Sequence, residues 1–206
     1  MSILLNSNYS HPNVIKYKEA FFEDSSNCLC IVMEYADDGD LCNKITTHTK
    51  ARTHFPEQEI WQLFAQMCSG LDALHKLNIC HRDLKSANMF IAKERIKVGD
   101  LNVSKVVKSN MLFTRVGTPY YASPEIWNDK PYNQKSDMWS LGCVLYEMCA
   151  LKPPFMADNL RELSKKIIAG VYSKIPSIYS PEMNRVIRGL LQTNPNLRFP
   201  CCIFVV

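Results

Sequence analysis

The sequence predicts an α+β fold in which a small remnant of a β-sheet precedes a mainly helical lobe. Two apolar, β-branched runs at 14–18 and 29–33 flank a polar, turn-prone segment, which is the pattern of a strand pair. From residue 56 to about 78, apolar residues recur at spacings of four and three, which predicts a long amphipathic helix. A third segment, 138–151, is almost wholly apolar and predicts a helix that is buried on all sides.

Residues with known local preferences mark the ends of these elements. Pro56 suits the first turn of the long helix, because the N–H that proline lacks has no helical partner there. Ser136 is the predicted N-cap of the apolar helix, and the pair Pro153-Pro154 is predicted to end it. The acidic segment 37–40 predicts a linker into a short helix. The remaining predicted elements are a short strand at 96–98 and two amphipathic helices at about 159–169 and 181–192.

Composition limits the class of protein. The chain has 206 residues, 47% of them apolar, which is enough for one well-buried core or at most two small ones. Its 24 basic and 20 acidic residues give a net charge of +4 and form no block of like sign, which argues against nucleic-acid or membrane-surface binding. The nine cysteines include no C-x-x-C pair, so structural thiols in a reducing compartment are expected rather than a zinc site. With no long apolar stretch, the sequence predicts a cytoplasmic protein without a membrane span.

Three polar clusters lie between the long helix and the apolar helix. The first is the sequence HRDLKSAN at 81–88, the second is a short strand that ends in the carboxylate Asp100, and the third is GTPYYASPE at 117–125. Phosphoryl transfer needs a carboxylate to accept a hydroxyl proton, a cation for the phosphates and oxygen ligands for Mg²⁺. Asp83, Lys85 and Asn88, together with Asp100, supply that set within one loop–strand–loop unit.

In order and spacing, these clusters resemble the motifs of eukaryotic serine/threonine protein kinases over about residues 3–198. The resemblance implies a protein-kinase-like fold, ATP and Mg²⁺ as cofactors, and Ser/Thr-containing proteins as substrates. It makes Asp83 the catalytic base and Lys85 the contact to the γ-phosphate. It also makes Asn88 and Asp100 the ligands of Mg²⁺.

The same resemblance assigns the nucleotide-binding segment. Met33 is similar to the gatekeeper residue, and Glu34 to Ala36 are similar to the hinge that hydrogen-bonds adenine. Asp40 is expected near the ribose.

The activation segment implied by the resemblance runs from Asp100 to Glu125. Thr114 resembles its activating phosphosite, with an ordinary surface threonine as the alternative, and Arg82 is expected to pair with the phosphate. Thr118, like the loop lysine, favours Ser/Thr over Tyr substrates.

Three residues are expected to support this site without touching substrate. Asp137 in SDMWSLG resembles the aspartate that braces the catalytic loop. Glu125 closes a motif similar to APE, and its expected ion-pair partner is Arg198.

Longer stretches, namely HPNVIKY, VGTPYYASPE and WSLGCVLYEMCALKPPF, resemble the NIMA-related branch of these kinases. Two departures stand out. Asp100-Leu101-Asn102 replaces Asp-Phe-Gly, where Leu101 still supplies an apolar plug and Asn102 tolerates positive φ. Ser123 replaces the alanine of APE.

Parts of the kinase pattern are missing from the 206 residues. The glycines are too widely spaced for a G-x-G-x-x-G loop, the V-A-I-K lysine is absent, and Ser2 stands where a helix αC glutamate is expected. The tail 199–206 does not resemble the last helix of the family. We therefore predict an N-lobe remnant at 1–36, a C-lobe at 37–198 and an atypical tail, with truncation or a faulty gene model as the reason.

Two functions remain open. The first is a serine/threonine protein kinase, with ATP binding in the 206-residue chain weakened by the missing loop and lysine, because each such phosphate contact contributes roughly 1.5–3 kcal/mol. The second is a catalytically inactive, kinase-like scaffold that docks partners. Family resemblance also suggests an association with the cytoskeleton or cilium.

Overall fold

The structure is a computed structural model that describes residues 9–101 and 119–205, and within them the α+β class is confirmed. Two separate two-stranded antiparallel hairpins accompany a mainly helical body. The strands are β1 (Tyr17–Glu23), β2 (Cys28–Met33), β3 (Met89–Ala92) and β4 (Arg95–Val98). The helices are α1 (Leu41–Ala51), α2 (Glu57–Lys76), α3 (Pro124–Trp127), α4 (Gln134–Ala150), α5 (Leu160–Ala169) and α6 (Pro181–Leu190). Short 3-10 turns are formed by Ser86–Asn88, Pro195–Leu197 and Cys201–Phe204.

The first strand begins later than predicted. The prediction placed it at 14–18, whereas β1 begins at Tyr17 and pairs with β2. Val14 instead forms a parallel bridge with Val98, and the N–H of Ile15 donates to the carbonyl of Val98 over 2.9 Å. An apolar, β-branched run indicates an extended backbone but does not indicate the partner strand. The prediction therefore assigned to one strand two segments that pair differently, one with Val98 and the other with β2.

The long helix α2 confirms the periodicity prediction. Its expected apolar face is buried, and Pro56 stands at its N-cap, one residue before the helix. Glu57 and Glu59 lie in the first turn while His75 and Lys76 lie in the last, which suits the direction of the helix dipole.

The apolar helix α4 is confirmed as buried on all sides, but its predicted cap is wrong. Every residue from Ser136 to Cys149 is buried, so this helix forms the centre of the lobe. The N-cap is Asn133, and Ser136 is the N3 partner that completes the capping box. Because asparagine and serine are both common N-cap residues, the sequence alone does not indicate at which of the two positions the helix begins. The helix ends at Leu151, in the left-handed conformation, before the prolines are reached.

The hairpin of β3 and β4 brings the two ends of the predicted site together. Strand β3 was not predicted, and a tight turn at Lys93 and Glu94, both with positive φ, returns the chain into β4. Asn88 directly precedes β3 and Gly99 directly follows β4. The N–H of Gly99 donates to the carbonyl of Asn88 over 3.1 Å, so the two loop ends lie side by side.

The tail packs against the long helix. Cys201 is 3% exposed, and the ring of Phe204 meets Phe64 of α2 at 5.1 Å and Phe199 at 6.1 Å, both edge to face. These contacts show that the segment from Phe199 to Phe204 contributes to the core. The division at 36 and 198 stays a prediction. Within the described ranges, no helix is both long and apolar enough to cross a membrane.

We expect Phe204→Ala to lower the free energy of unfolding by about 2 kcal/mol, roughly half the cost of truncating a fully buried phenylalanine. Phe204 is half-buried against two aromatic rings, whereas its neighbour Ile203 is 53% exposed. Ile203→Ala is therefore the matched control, expected to stay within about 0.5 kcal/mol. Urea unfolding followed by circular dichroism measures both, and equal effects of the two changes would contradict the packing.

Candidate active site

The loop at 81–88 gathers two of the predicted site side chains, Lys85 and Asn88, around the carboxylate of a third, Asp83. Lys85 Nζ lies 2.9 Å from Asp83 Oδ2. Asn88 Nδ2 donates to the carbonyl of Asp83 over 2.8 Å and to Asp83 Oδ2 over 3.3 Å. The 3-10 turn Ser86–Asn88 aims Asn88 back toward Asp83, so local backbone shape produces this convergence.

His81 joins the loop to the segment that carries Asp100. The imidazole is buried, its Nδ1 accepts from the N–H of Asp83 over 3.3 Å, and its Nε2 lies 2.8 Å from the carbonyl of Gly99. Because Nδ1 accepts, the proton of the neutral ring belongs on Nε2, where it donates to Gly99. Burial lowers the pKa of His81, although the nearby carboxylates of Asp137, Asp83 and Asp100 oppose that shift. The neutral ring of His81 thus connects the backbone of Asp83 to that of Gly99, the residue directly before Asp100.

The backbone around Asp100 is fixed by close contacts. A Cβ on Gly99 would lie 2.7 Å from side-chain atoms of both Ile15 and Phe90, so only glycine fits. Asp100 itself has φ 55°, and the N–H of Leu101 donates to the hydroxyl of Tyr17 over 3.0 Å. Leu101 is buried, which agrees with its predicted role as an apolar plug.

The donor set fits Mg²⁺. Asn88 uses its Nδ2 to hold Asp83, which leaves its Oδ1 as the acceptor. The carboxylate of Asp100 is exposed and follows Gly99, whose N–H donates to the carbonyl of Asn88. Oxygen atoms are the ligands that Mg²⁺ takes in proteins. Residues 9–101 and 119–205 contain no cluster of three or more His, Cys, Asp or Glu residues suited to a metal. A magnesium ion here would therefore be held by the amide oxygen of Asn88 and the carboxylate of Asp100, with phosphate oxygens as further ligands.

The segment 38–40, which follows the predicted hinge at 34–36, pairs with β3. The N–H of Asp38 donates to the carbonyl of Ile91 over 3.1 Å, and the N–H of Ile91 donates to Gly39 over 2.8 Å. Asp40 bridges Phe90 and caps α1 by accepting from the N–H of Asn43. Residues 38–40 thus connect the predicted hinge to β3, the strand that begins directly after Asn88.

Two hinge residues have distinct surroundings. Glu34 forms an ion pair with Lys97 at 2.9 Å and accepts from the N–H of Lys16. Burial raises the pKa of Glu34, but these hydrogen bonds outweigh it and the net pKa is lowered. Ala36 is half-buried, and its N–H makes no hydrogen bond to any residue that the structure describes.

Comparison with known proteins agrees with this geometry. The family model described as the protein kinase domain matches residues 1–204. The chain belongs to the protein kinase family.

Curated relatives refine the assignment to the NIMA-related branch predicted above. Serine/threonine-protein kinase Nek3 of Mus musculus is 43% identical over 95% of this chain and 38% of that protein. Serine/threonine-protein kinase Nek1 of Mus musculus is 43% identical over 93% of this chain and 16% of that protein. Serine/threonine-protein kinase Nek2 of Homo sapiens is 41% identical over 88% of this chain and 42% of that protein. The chain thus spans less than half the length of these relatives.

Asp137 anchors the catalytic loop of this kinase domain. Its carboxylate is fully buried and accepts from the backbone N–H groups of His81 over 3.0 Å and Arg82 over 3.1 Å. His75 Nε2 at 2.7 Å and the hydroxyl of Tyr132 complete its partners. The bracing role expected of Asp137 corresponds to this set of hydrogen bonds, and His75 and Tyr132 are additions that the sequence did not suggest.

The expected pair of Glu125 and Arg198 is present in the kinase domain. Arg198 Nη1 and Nη2 lie 2.6 Å and 2.7 Å from the two carboxylate oxygens of Glu125, and both residues are buried. Ser136 donates to the same carboxylate over 2.7 Å. Ser123, the departure from APE, is buried, and its hydroxyl has no hydrogen-bond partner within the described ranges.

A further polar network of the kinase domain was missed by the sequence analysis. Glu147 of α4 accepts from the hydroxyl of Tyr121 over 2.7 Å, and that hydroxyl lies 3.2 Å from Ser86 in the catalytic loop. Burial raises the pKa of Glu147 despite these hydrogen bonds. The sequence does contain a sign of this network, because Glu147 is the one carboxylate within the almost wholly apolar segment at 138–151. A carboxylate in a buried helix needs hydrogen-bond donors from other parts of the chain.

The activation segment is described only in part. Thr114 and Thr118 lie outside the described residues, as does Asn102 of the Asp-Leu-Asn motif. Arg82, the expected partner of a phosphate on Thr114, has an exposed side chain and positive φ. The role of Thr114 stays a prediction.

Proposed function

We propose that this protein is a serine/threonine protein kinase that transfers the γ-phosphate of ATP to hydroxyl groups of protein substrates. The observation that carries the proposal is the convergence of Lys85 and Asn88 on Asp83, tied through His81 to the segment of Asp100. A base, a cation and oxygen ligands within one unit are what phosphoryl transfer requires. Membership of the protein kinase family supports the same reading.

Each side chain has a proposed part in positioning and proton transfer. Asp83 orients the substrate hydroxyl and accepts its proton, and Lys85, already paired with Asp83, offers positive charge to the transferred phosphate. Asn88 Oδ1 and the carboxylate of Asp100 would hold Mg²⁺, which neutralises phosphate charge when bound. The N–H of Ala36 offers a donor for adenine, and Glu34 and Asp40, which precede and follow Ala36 in the sequence, are proposed to complete the nucleotide site.

The decisive experiment is phosphate transfer to serine, threonine and tyrosine peptides by the 206-residue chain and by any longer product of the same gene. Asp83→Asn should lower turnover about 10²–10⁴-fold, which is the usual contribution of a positioned base. Asp24→Asn is the control, because Asp24 is exposed in the turn between β1 and β2. Activity that survives Asp83→Asn within a factor of about three would refute the assigned base.

A thermal-shift measurement separates the enzyme from an inactive scaffold. Mg-ATP should raise the melting temperature of a chain that carries all phosphate contacts, and the 206-residue chain should respond less because it contains neither the glycine-rich loop nor the V-A-I-K lysine. Absence of both transfer and stabilisation in a longer product would favour the scaffold.

We also propose that the kinase works in the cytoplasm. All nine cysteines are unpaired, which suits a reducing compartment. Fractionation of cells that express a tagged chain tests this.

A further inference from the structure

A groove of about 380 Å³ lies between the loop that follows α4 and the segment that follows α5. One wall is formed by residues within 152–156 and the other by 171–173, with Tyr146 and Lys166 completing the lining. The residues that line it include none of those placed at the active site above.

The groove exposes apolar surface. Met156 is 48% exposed and Val171 is 68% exposed, although both line the same concave surface. The rings of Tyr146 and Tyr172 meet edge to face at 5.7 Å and form a rigid aromatic floor. Rigid aromatic surface beside flexible methionine suits the capture of an apolar side chain.

The charge of the groove is positive. Lys152 and Lys166 line it, and among the described residues no carboxylate does. Lys166 Nζ donates to the carbonyl of Met156 over 2.8 Å, which holds the ammonium group at the rim and leaves two of its protons for a ligand. Arg188 adds positive charge near Tyr172 and lowers its pKa, although burial dominates and raises that pKa overall.

Tyr146 offers a hydroxyl group to a ligand in the groove. The residue lines the groove and is 1% exposed as a whole, and its hydroxyl is not among the buried polar atoms of the described residues that lack a hydrogen-bond partner. Burial raises the pKa of Tyr146, so the hydroxyl is a neutral donor at physiological pH. A carboxylate that enters the groove would accept a hydrogen bond from it.

We propose that this groove docks an acidic segment of a partner protein, with an apolar side chain between Met156 and Val171 and carboxylates at Lys152 and Lys166. Charge complementarity selects the occupant, because a lining with two cations and no anion repels basic peptides. The apolar surface favours a protein over a nucleic acid, for which two lysines supply too little phosphate contact. The inference is independent of catalysis, because it concerns binding by this chain alone.

Selection from a random-peptide phage library on the immobilised 206-residue chain tests the proposal. Enriched peptides should carry at least two acidic residues beside a leucine, isoleucine or phenylalanine. A synthetic peptide of that consensus should bind about tenfold more weakly to Lys152→Glu/Lys166→Glu, measured by fluorescence anisotropy, and more weakly as salt is added. Tyr146→Phe should weaken it about two- to tenfold, the worth of one neutral hydrogen bond.

Lys165→Glu is the matched control, because Lys165 lies on the same helix but pairs with Glu162 at 2.9 Å and does not line the groove. Circular dichroism and melting temperature verify that each variant folds. Neutral or basic consensus peptides, no enrichment, or equal binding to the double variant would overturn the proposal. So would self-association in sedimentation that the double variant abolishes, since the occupant would then be a second copy of the chain.

Discussion

Asp137→Ala is expected to destabilise the kinase domain by about 3–5 kcal/mol, which is the cost of breaking a fully buried charged network. The substitution leaves the N–H groups of His81 and Arg82 without their acceptor and removes the partner of His75 and Tyr132. Each unsatisfied buried donor adds about 1–3 kcal/mol. Urea unfolding followed by circular dichroism gives the difference.

Two further variants sharpen this measurement. Asp137→Asn keeps one acceptor oxygen and should lose less than the alanine variant, which remains informative if the alanine variant does not fold. Asp158→Ala removes an exposed aspartate and should change the free energy of unfolding by less than about 0.5 kcal/mol. If Asp137→Ala and Asp158→Ala behave alike, Asp137 does not anchor the catalytic loop.

Breaking the buried pair of Glu125 and Arg198 should be comparably costly. Arg198→Ala leaves a buried carboxylate without its bidentate partner, and loss of one member of such a pair costs about 3–5 kcal/mol. The double variant Glu125→Leu/Arg198→Met should lose less than the sum of the two single changes, because neither charge is left uncompensated. If the loss of unfolding free energy in the double variant equals the sum of the losses in the two single variants, the two residues do not stabilise each other.

The same pair predicts a dependence on pH. Burial raises the pKa of Glu125, but hydrogen bonds from Arg198 and Ser136 outweigh burial and the net pKa is lowered. A carboxylate whose pKa is lower in the folded state stabilises the fold above its unfolded pKa of about 4.3, and this contribution is lost as pH falls through the folded pKa. Below about pH 5, the free energy of unfolding should therefore decrease less steeply with falling pH in Glu125→Gln than in the unsubstituted chain. Parallel curves in acid titrations of the urea midpoint would contradict this role of Glu125.

Local patterns in the sequence predicted the helices well. Periodic apolar residues located α2, and an almost wholly apolar run located α4, because burial of one face or of all faces leaves a direct trace in the sequence. Boundaries were less certain where two residues could serve as a cap. Asn133 and Ser136 can both satisfy free N–H groups at a helix start, and only the backbone conformation of Asn133 distinguishes them.

Pairing between distant segments was predicted less well. Strand β3 is only four residues long and lacks strict alternation, so nothing local distinguishes it from a loop. The tail is similar, since the apolar residues Phe199 and Phe204 carry no periodic signal, and their burial depends on the surface that α2 presents to them.

The order of the kinase motifs, the identities of Asp83, Lys85, Asn88 and Asp100, and the positions of the main helices can all be read from the amino-acid sequence. These properties depend on residue types at fixed local spacing. Three further features became visible only in the folded chain: His75 and Tyr132 bind Asp137, Glu147 is connected to Ser86 through Tyr121, and Tyr146 lines a cationic groove. Hydrogen bonds and grooves of this kind form between segments far apart in the chain, so they depend on how helices pack, which no local pattern specifies.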